Sequence, residues 1–192
     1  MPASSGKIPL TFTSNPMPSR PLSCLRLVRS RENRSRAVLI AGALRLPCAL
    51  GRSGLTRSKR EGDGATPCGT LRITAIYVRH DSWKTRSPFP IWHPITPNLG
   101  WIDDPVSFRY NRPVRLPTKA RHETLWRQDS LYDIILETDW NRRPAIRGRG
   151  SAIFIHLARP GLLPTEGCLA FSRAGMRRLL PLIGRDTRIL IG

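Results

Sequence analysis

The chain has 192 residues, with 32 Lys and Arg against 13 Asp and Glu, for a formal charge of +19. That length holds one domain with a flanking segment rather than two full-sized domains, and its 40% apolar residues suffice for a packed core. No apolar run reaches the roughly 18–20 residues needed to span a bilayer; the longest candidate, Ala37 to Leu50, is broken by Gly42, Arg45 and Pro47.

Residues 1–36 are rich in Ser, Pro and Arg, with Glu32 as their single acid. They lack the apolar stretch of about 7–15 residues that a secretory signal requires, and they read as a basic, disordered tail ahead of a domain spanning 37–192. Val38 to Ile40 and Leu44 to Leu46 flank a turn at Ala41-Gly42 and predict a strand pair. Gly62-Asp63-Gly64 reads as a turn, and Leu71 to Val78 as a strand buried on both faces. From Arg79 to Arg121 the chain is studded with prolines and carries Trp83, Phe89, Trp92, Trp101, Phe108 and Tyr110. This is too broken for long helices and too aromatic for an idle linker, so an ordered binding loop or lid is expected. The tryptophans form its own small core or stack on a ligand, while Asp103 and Asp104 cap the chain or pair with arginines.

Leu131 to Leu136 and Ser151 to Leu157 predict two neighbouring strands, the second apolar enough for the centre of the fold. Ser172 N-caps a short helix that buries Met176, Leu179, Leu180 and Ile183 and turns Arg173, Arg177 and Arg178 to solvent; Pro181 ends it. Asp186 to Ile191 closes as a last strand. The expected class is mostly β, with a long aromatic loop insertion and one or two short helices.

The basic excess is almost all arginine, since lysine occurs only at Lys7, Lys59, Lys84 and Lys119. Guanidinium grips phosphate and carboxylate alike, so nucleic acid, an anionic polymer, a membrane surface or a bare compositional bias all fit. No helix-turn-helix, zinc-finger or RNA-binding signature accompanies the charge. Cys24, Cys48, Cys68 and Cys168 form no C-x-x-C pair, and His80, His93, His122 and His156 show no ligand spacing, which gives zinc little support.

The sharpest local pattern joins His156, at the end of an apolar strand, to Arg159-Pro160-Gly161 and Thr165-Glu166-Gly167-Cys168. A histidine leaving a buried strand and a cysteine opening the next segment can bring imidazole and thiol face to face. A free thiol is only ~3% ionised at neutral pH, and an adjacent imidazolium raises that fraction. Gly167 gives the backbone room to aim amides at a tetrahedral oxyanion.

Glu61 to Gly69, containing Gly64-Ala65-Thr66-Pro67, together with His156 and Thr165-Glu166-Gly167-Cys168, resembles the paired signature of the L,D-transpeptidase catalytic domain (YkuD-like) family. The likeness covers about residues 37–192. It implies a YkuD-like β-sandwich or barrel and a cysteine L,D-transpeptidase acting on peptidoglycan stem peptides through a thioester. Cys168 would be the nucleophile, His156 the base and acid, Gly167 and Thr165 the loop and oxyanion support, and Arg159 a clamp for a stem carboxylate. It also implies a periplasmic or cell-envelope location, although no clear signal segment is visible and a cytoplasmic one is compatible with the sequence. No metal or organic cofactor is expected, because thiol and imidazole suffice for acyl transfer. Where family members often carry His within the motif and Arg or Asn after the Cys, this chain has Glu166 and Leu169-Ala170-Phe171. A non-catalytic peptidoglycan-binding domain and a basic nucleic-acid-binding protein stand as the alternatives, and oligomeric state is left open.

Overall fold

Alternating apolar side chains close the main sheet on itself. The structure, a computed structural model, describes residues 20–84 and 87–192. Its first strands are β1 (Cys24–Arg29), β2 (Arg36–Ala41) and β3 (Leu44–Ala49), followed by the short β4 (Leu55–Thr56) and β5 (Thr66–Pro67) and the long β6 (Gly69–Val78). The aromatic middle contributes β7 (Trp92–Pro94), β8 (Leu99–Ile102), β9 (Pro113–Arg115) and β10 (His122–Thr124). Then come β11 (Ile134–Thr138), β12 (Phe154–Leu157), β13 (Leu169–Phe171), helix α1 (Arg173–Leu179) and β14 (Arg188–Ile191).

The strands follow the order β11-β12-β13-β3-β2-β1-β14-β6, and β6 pairs back onto β11, so the sheet is a barrel without free edges, with β7 added outside β6. The β2–β3 hairpin turns at Gly42, whose φ of +61° suits a two-residue loop. The expected neighbours β11 and β12 do pair, antiparallel. The strands start later than the sequence suggests, at Ile134 and Phe154, because Ser130 and Ala152 just upstream hold positive φ.

Strand β1 lies within residues 1–36, the stretch read above as a tail. Its Leu25 and Leu27 are buried, it pairs antiparallel with β2 and parallel with β14, and Leu22 N donates to Leu182 O at 2.9 Å. The folded unit therefore begins no later than Leu22, which corrects the boundary at residue 37; residues 1–19 of the presumed tail lie outside the described residues.

Period-two alternation divides the strand residues between two cores. Leu25, Leu39, Leu46, Ile73, Ile134, Ile155 and Phe171 fill the barrel interior, which α1 joins through Met176 and Leu179. Ala75, Tyr77, Ile135 and Phe154 point outward from β6, β11 and β12, where Trp101, Leu125 and Tyr132 cover them. The aromatic middle is thus an ordered cover. A small antiparallel sheet, β10-β8-β9, braces it.

Ser172 caps α1 as its position predicts, accepting from Gly175 N at 3.0 Å. Arg177 and Arg178 are exposed, but Arg173 is not the solvated residue expected: its guanidinium pairs with the buried Asp133 carboxylate.

Candidate active site

His156 and Phe154 share the outward face of β12, because Ile153, Ile155 and Leu157 take the inward one. The parallel register sets His156 beside Ala170 of β13, whose methyl leaves space for the imidazole. Cys168, two residues before Ala170, then falls level with the start of β12. Phe154 N donates to Cys168 Sγ at 3.3 Å, and the thiol donates to Ala152 O at 3.1 Å. Ala152 holds that carbonyl with φ at +50°, a conformation costly for a residue with a Cβ. Asn111 stabilises it by accepting from Ala152 N at 3.1 Å.

The motif loop is fixed from several sides. Thr165 Oγ1 donates to Cys168 O at 2.6 Å and accepts from Gly167 N at 3.2 Å. Its backbone bonds Leu50 O at 2.9 Å and Arg52 N at 2.8 Å. Gly167 has φ of +140°, and a Cβ there would stand 2.8 Å from Ala65 O. The two sequence blocks that carry the family resemblance are therefore in direct contact. Thr165 ties both ends of the motif together through its hydroxyl, and the Gly167 amide is directed at that hydroxyl.

A cavity of about 450 Å³ opens beside this loop, lined among others by Cys168, His156, Thr165 and Tyr132. Arg127 and Arg159 contribute cationic lining, and Glu61, Asp103 and Glu123 anionic lining. His156 Nδ1 lies 2.8 Å from Leu157 O, and since a carbonyl only accepts, Nδ1 carries the proton and Nε2 the lone pair. Tyr132 packs edge-on against the imidazole, centroids 5.1 Å apart, and donates its hydroxyl to Glu123 Oε1 at 2.6 Å.

Burial pushes the His156 pKa down to about 4, with Arg127 and Arg159 adding to the effect. Burial, followed by the Glu123 charge, pushes the Cys168 thiol up to about 12. The resting pair is accordingly a neutral thiol and a neutral imidazole, not the thiolate–imidazolium pair expected from the sequence. Burial also raises the Glu123 carboxyl, helped by Asp103 and Glu61 and opposed by the Tyr132 hydroxyl and Arg127. Among the described residues no cluster of His, Cys, Asp or Glu has metal-binding geometry, and all four cysteines are free.

Of the residues singled out from sequence, Cys168, His156, Thr165 and Arg159 line one cavity, and Gly167 supports it from behind. Tyr132, Glu123, Arg127 and Glu61 were not foreseen; only the unusual density of polar residues around Leu131-Tyr132-Asp133 hinted at them. Trp83, Trp92 and Trp101 do not line the cavity, and Trp101 is buried in the outer core with Nε1 donating to Asn111 Oδ1 at 2.9 Å. Asp103 pairs with Arg121 at 3.1 Å and Asp104 accepts from Val106 N at 3.2 Å, the pairing and capping roles anticipated.

The structure is thus a closed β-barrel in which a histidine on β12 and a cysteine just ahead of the parallel β13 line one cavity. The L,D-transpeptidase catalytic domain (YkuD) matches residues 28–191, and the chain belongs to that family. It matches no curated protein and no solved structure. No helix among the described residues is long and apolar enough to cross a membrane.

Proposed function

We propose that this chain is a cysteine-dependent peptidoglycan L,D-transpeptidase of the cell envelope. The observation that carries the reading is the shared cavity: Cys168 and His156 both line it, and the Leu157 carbonyl commits His156 to the tautomer with a free Nε2. Cys168 Sγ attacks the carbonyl carbon of a stem-peptide amide as its proton passes to Nε2. The C–N bond then breaks, Nε2 returns the proton to the departing amine, and a thioester remains. An acceptor amine attacks that thioester, gives its proton to Nε2, and expels the sulfur, which is reprotonated. With both resting groups neutral, proton transfer accompanies attack. The Cys168 amide serves as the loop's donor to the oxyanion, since Thr165 holds that of Gly167.

The lining suits a substrate bearing both charges. Arg159 faces a stem carboxylate, for which the guanidinium fork is matched, Arg127 adds positive charge while its own fork holds Asp129, and Glu61, Asp103 and Glu123 face an ammonium group. Incubation with a tetrapeptide stem, followed by intact-mass measurement, tests the reading. An acyl adduct is expected on the wild-type protein and none on Cys168→Ala, with His156→Gln slowing its formation at least a hundredfold, the lower end of general-base contributions of about 10²–10⁴. A wild-type protein that acquires no adduct overturns catalysis and leaves a peptidoglycan-holding domain.

A further inference from the structure

Among the described residues Lys59 is the lysine or arginine that the fold buries; its side chain is 3% exposed. The ammonium donates to Asp63 Oδ1 and to Arg60 O, the latter at 3.1 Å. An ammonium has three N–H groups, so one remains. Asp63 is itself fixed, its carboxylate accepting from Arg60 N at 2.8 Å and Ala65 N at 2.9 Å. The turn at Gly62-Asp63-Gly64 thus has a purpose beyond reversal: it holds the counter-charge of Lys59.

The lysine threads between two glycines of the site. A Cβ on Gly150 would stand 2.9 Å from Lys59 Cε, and a Cβ on Gly167 would stand 3.4 Å from Lys59 Nζ. Gly150 leads into the segment of Ala152, which receives the Cys168 thiol, and Gly167 immediately precedes Cys168. The stem packs behind the first loop and the charge behind the second. A thioether or aliphatic chain would fill the same space without the desolvation cost of a buried charge, so the charge calls for an explanation that packing does not supply.

Around Cys168 the other charged and titratable groups are His156 on β12, Tyr132 ahead of β11, His122 and Glu123 on β10, and Arg127 and Arg159 across the cavity. Farther along, Glu61 and Asp103 are anionic as well, and Glu166 is turned outward into a pair with Arg52. Lys59 is the buried cation behind the motif loop, its Nζ 3.4 Å from the position of a Cβ on Gly167. Its field lowers the energy of negative charge on the sulfur while that of Glu123 raises it.

We propose that Lys59, held by Asp63, is a positioning residue for Cys168: it braces the Gly167–Cys168 loop from behind and sets a fixed positive charge that favours the thiolate. The inference rests on Cys168 being the reactive thiol of the proposed function.

Alkylation of Cys168 by iodoacetamide across a range of pH, followed by peptide mass, tests it without any turnover. Lys59→Met keeps the apolar stem and removes charge and hydrogen bonds; Lys59→Gln removes the charge and keeps an N–H donor on Asp63's side, which makes it the second variant wherever Lys59→Met fails to fold. Both are expected to lower the thiolate fraction about tenfold at any pH below the thiol's midpoint, equivalent to about 1.36 kcal/mol. Below the midpoint this gives roughly fourfold slower alkylation, because a more basic thiolate is also the stronger nucleophile. A profile at the wild-type pH in Lys59→Gln, whatever its thermal stability, overturns the proposal. Failure of the stem-peptide adduct with an intact Lys59 shift refutes the enzyme reading alone; an adduct without the shift refutes only this inference.

Discussion

The inside and the outside of the barrel are made by the same strands and obey opposite rules. Along β12 the inward Ile155 and Leu157 belong to the apolar interior, while the outward Phe154 and His156 face Trp101 and Tyr132. The interior is apolar and mostly aliphatic. The exterior is aromatic, and its rings bring polar handles with them: Trp101 bonds Asn111, Asn111 bonds Ala152, and Tyr132 bonds Glu123. Amphipathic rings let a covered surface hold titratable groups at low solvation without leaving them unpaired. One strand period therefore separates what keeps the molecule folded from what the site can do chemically.

Truncation of a large residue on each side is the strongest way to break that division. Phe171→Ala empties the interior at a fully buried position and should cost about 3–5 kcal/mol in denaturant unfolding. The rate of Cys168 alkylation per folded molecule should stay near wild type. Phe154→Ala should cost a similar amount, since its ring meets Trp101 edge-on with centroids 4.9 Å apart. It should also change that rate several-fold: the backbone amide that holds the sulfur stays, but the ring that fixes its position against Trp101 is gone. Equal alkylation changes in both variants would show that the two cores are one unit.

Burial of the histidine gives the next effect. Its folded pKa of about 4 lies below the ordinary 6.5, so the unfolded chain takes up the proton first. The neutral form stabilises the fold above pH 6.5, and this contribution is lost as pH falls from 6.5 through 4. A shift of that size corresponds to roughly 3 kcal/mol at 1.36 kcal/mol per unit. Denaturation midpoints measured between pH 7 and pH 4 should fall more steeply for wild type than for His156→Gln. The difference between the two curves cancels the carboxylates, including Asp63, whose pairing with Lys59 and backbone N–H bonds outweigh its burial and hold it below the usual range. Parallel curves would mean that His156 is solvated enough to titrate normally.

Local pattern made much of this legible and long-range contact the rest. The hairpin at Gly42, the run from Leu71 to Val78, the Ser172 cap and the His156-to-Cys168 spacing all depend on residues close in sequence. Strand β1 was hidden because its Leu25–Leu27 alternation sits in a basic, proline-rich surrounding, and its partner β14 comes from the far end of the chain. Lys59, Glu123 and Tyr132 reach the site only through contacts between segments far apart in sequence. The ionisation of the pair was misjudged for a related reason: an imidazole next to a thiol reads as a charged pair in sequence, whereas its burial on β12 is a property of the folded surroundings.

The smallest effect tests the seam between the two sides. Helix α1 follows β13 directly, and β13 carries Leu169 and Phe171 inward while Ala170 lines the cavity. Ser172 ends that strand and caps the helix through Gly175 N. Ser172→Ala should cost about 1 kcal/mol, the usual worth of such a cap. Water can take over the amide, because the residue is exposed. The interior holds α1 through Met176 and Leu179, so the helix should loosen at its first turn without shifting β13. Alkylation of Cys168 should then keep its wild-type rate and pH profile while the unfolding midpoint drops. A slowed alkylation would mean that the cap tensions β13, which would make the helix part of the site's support and not only of the barrel's.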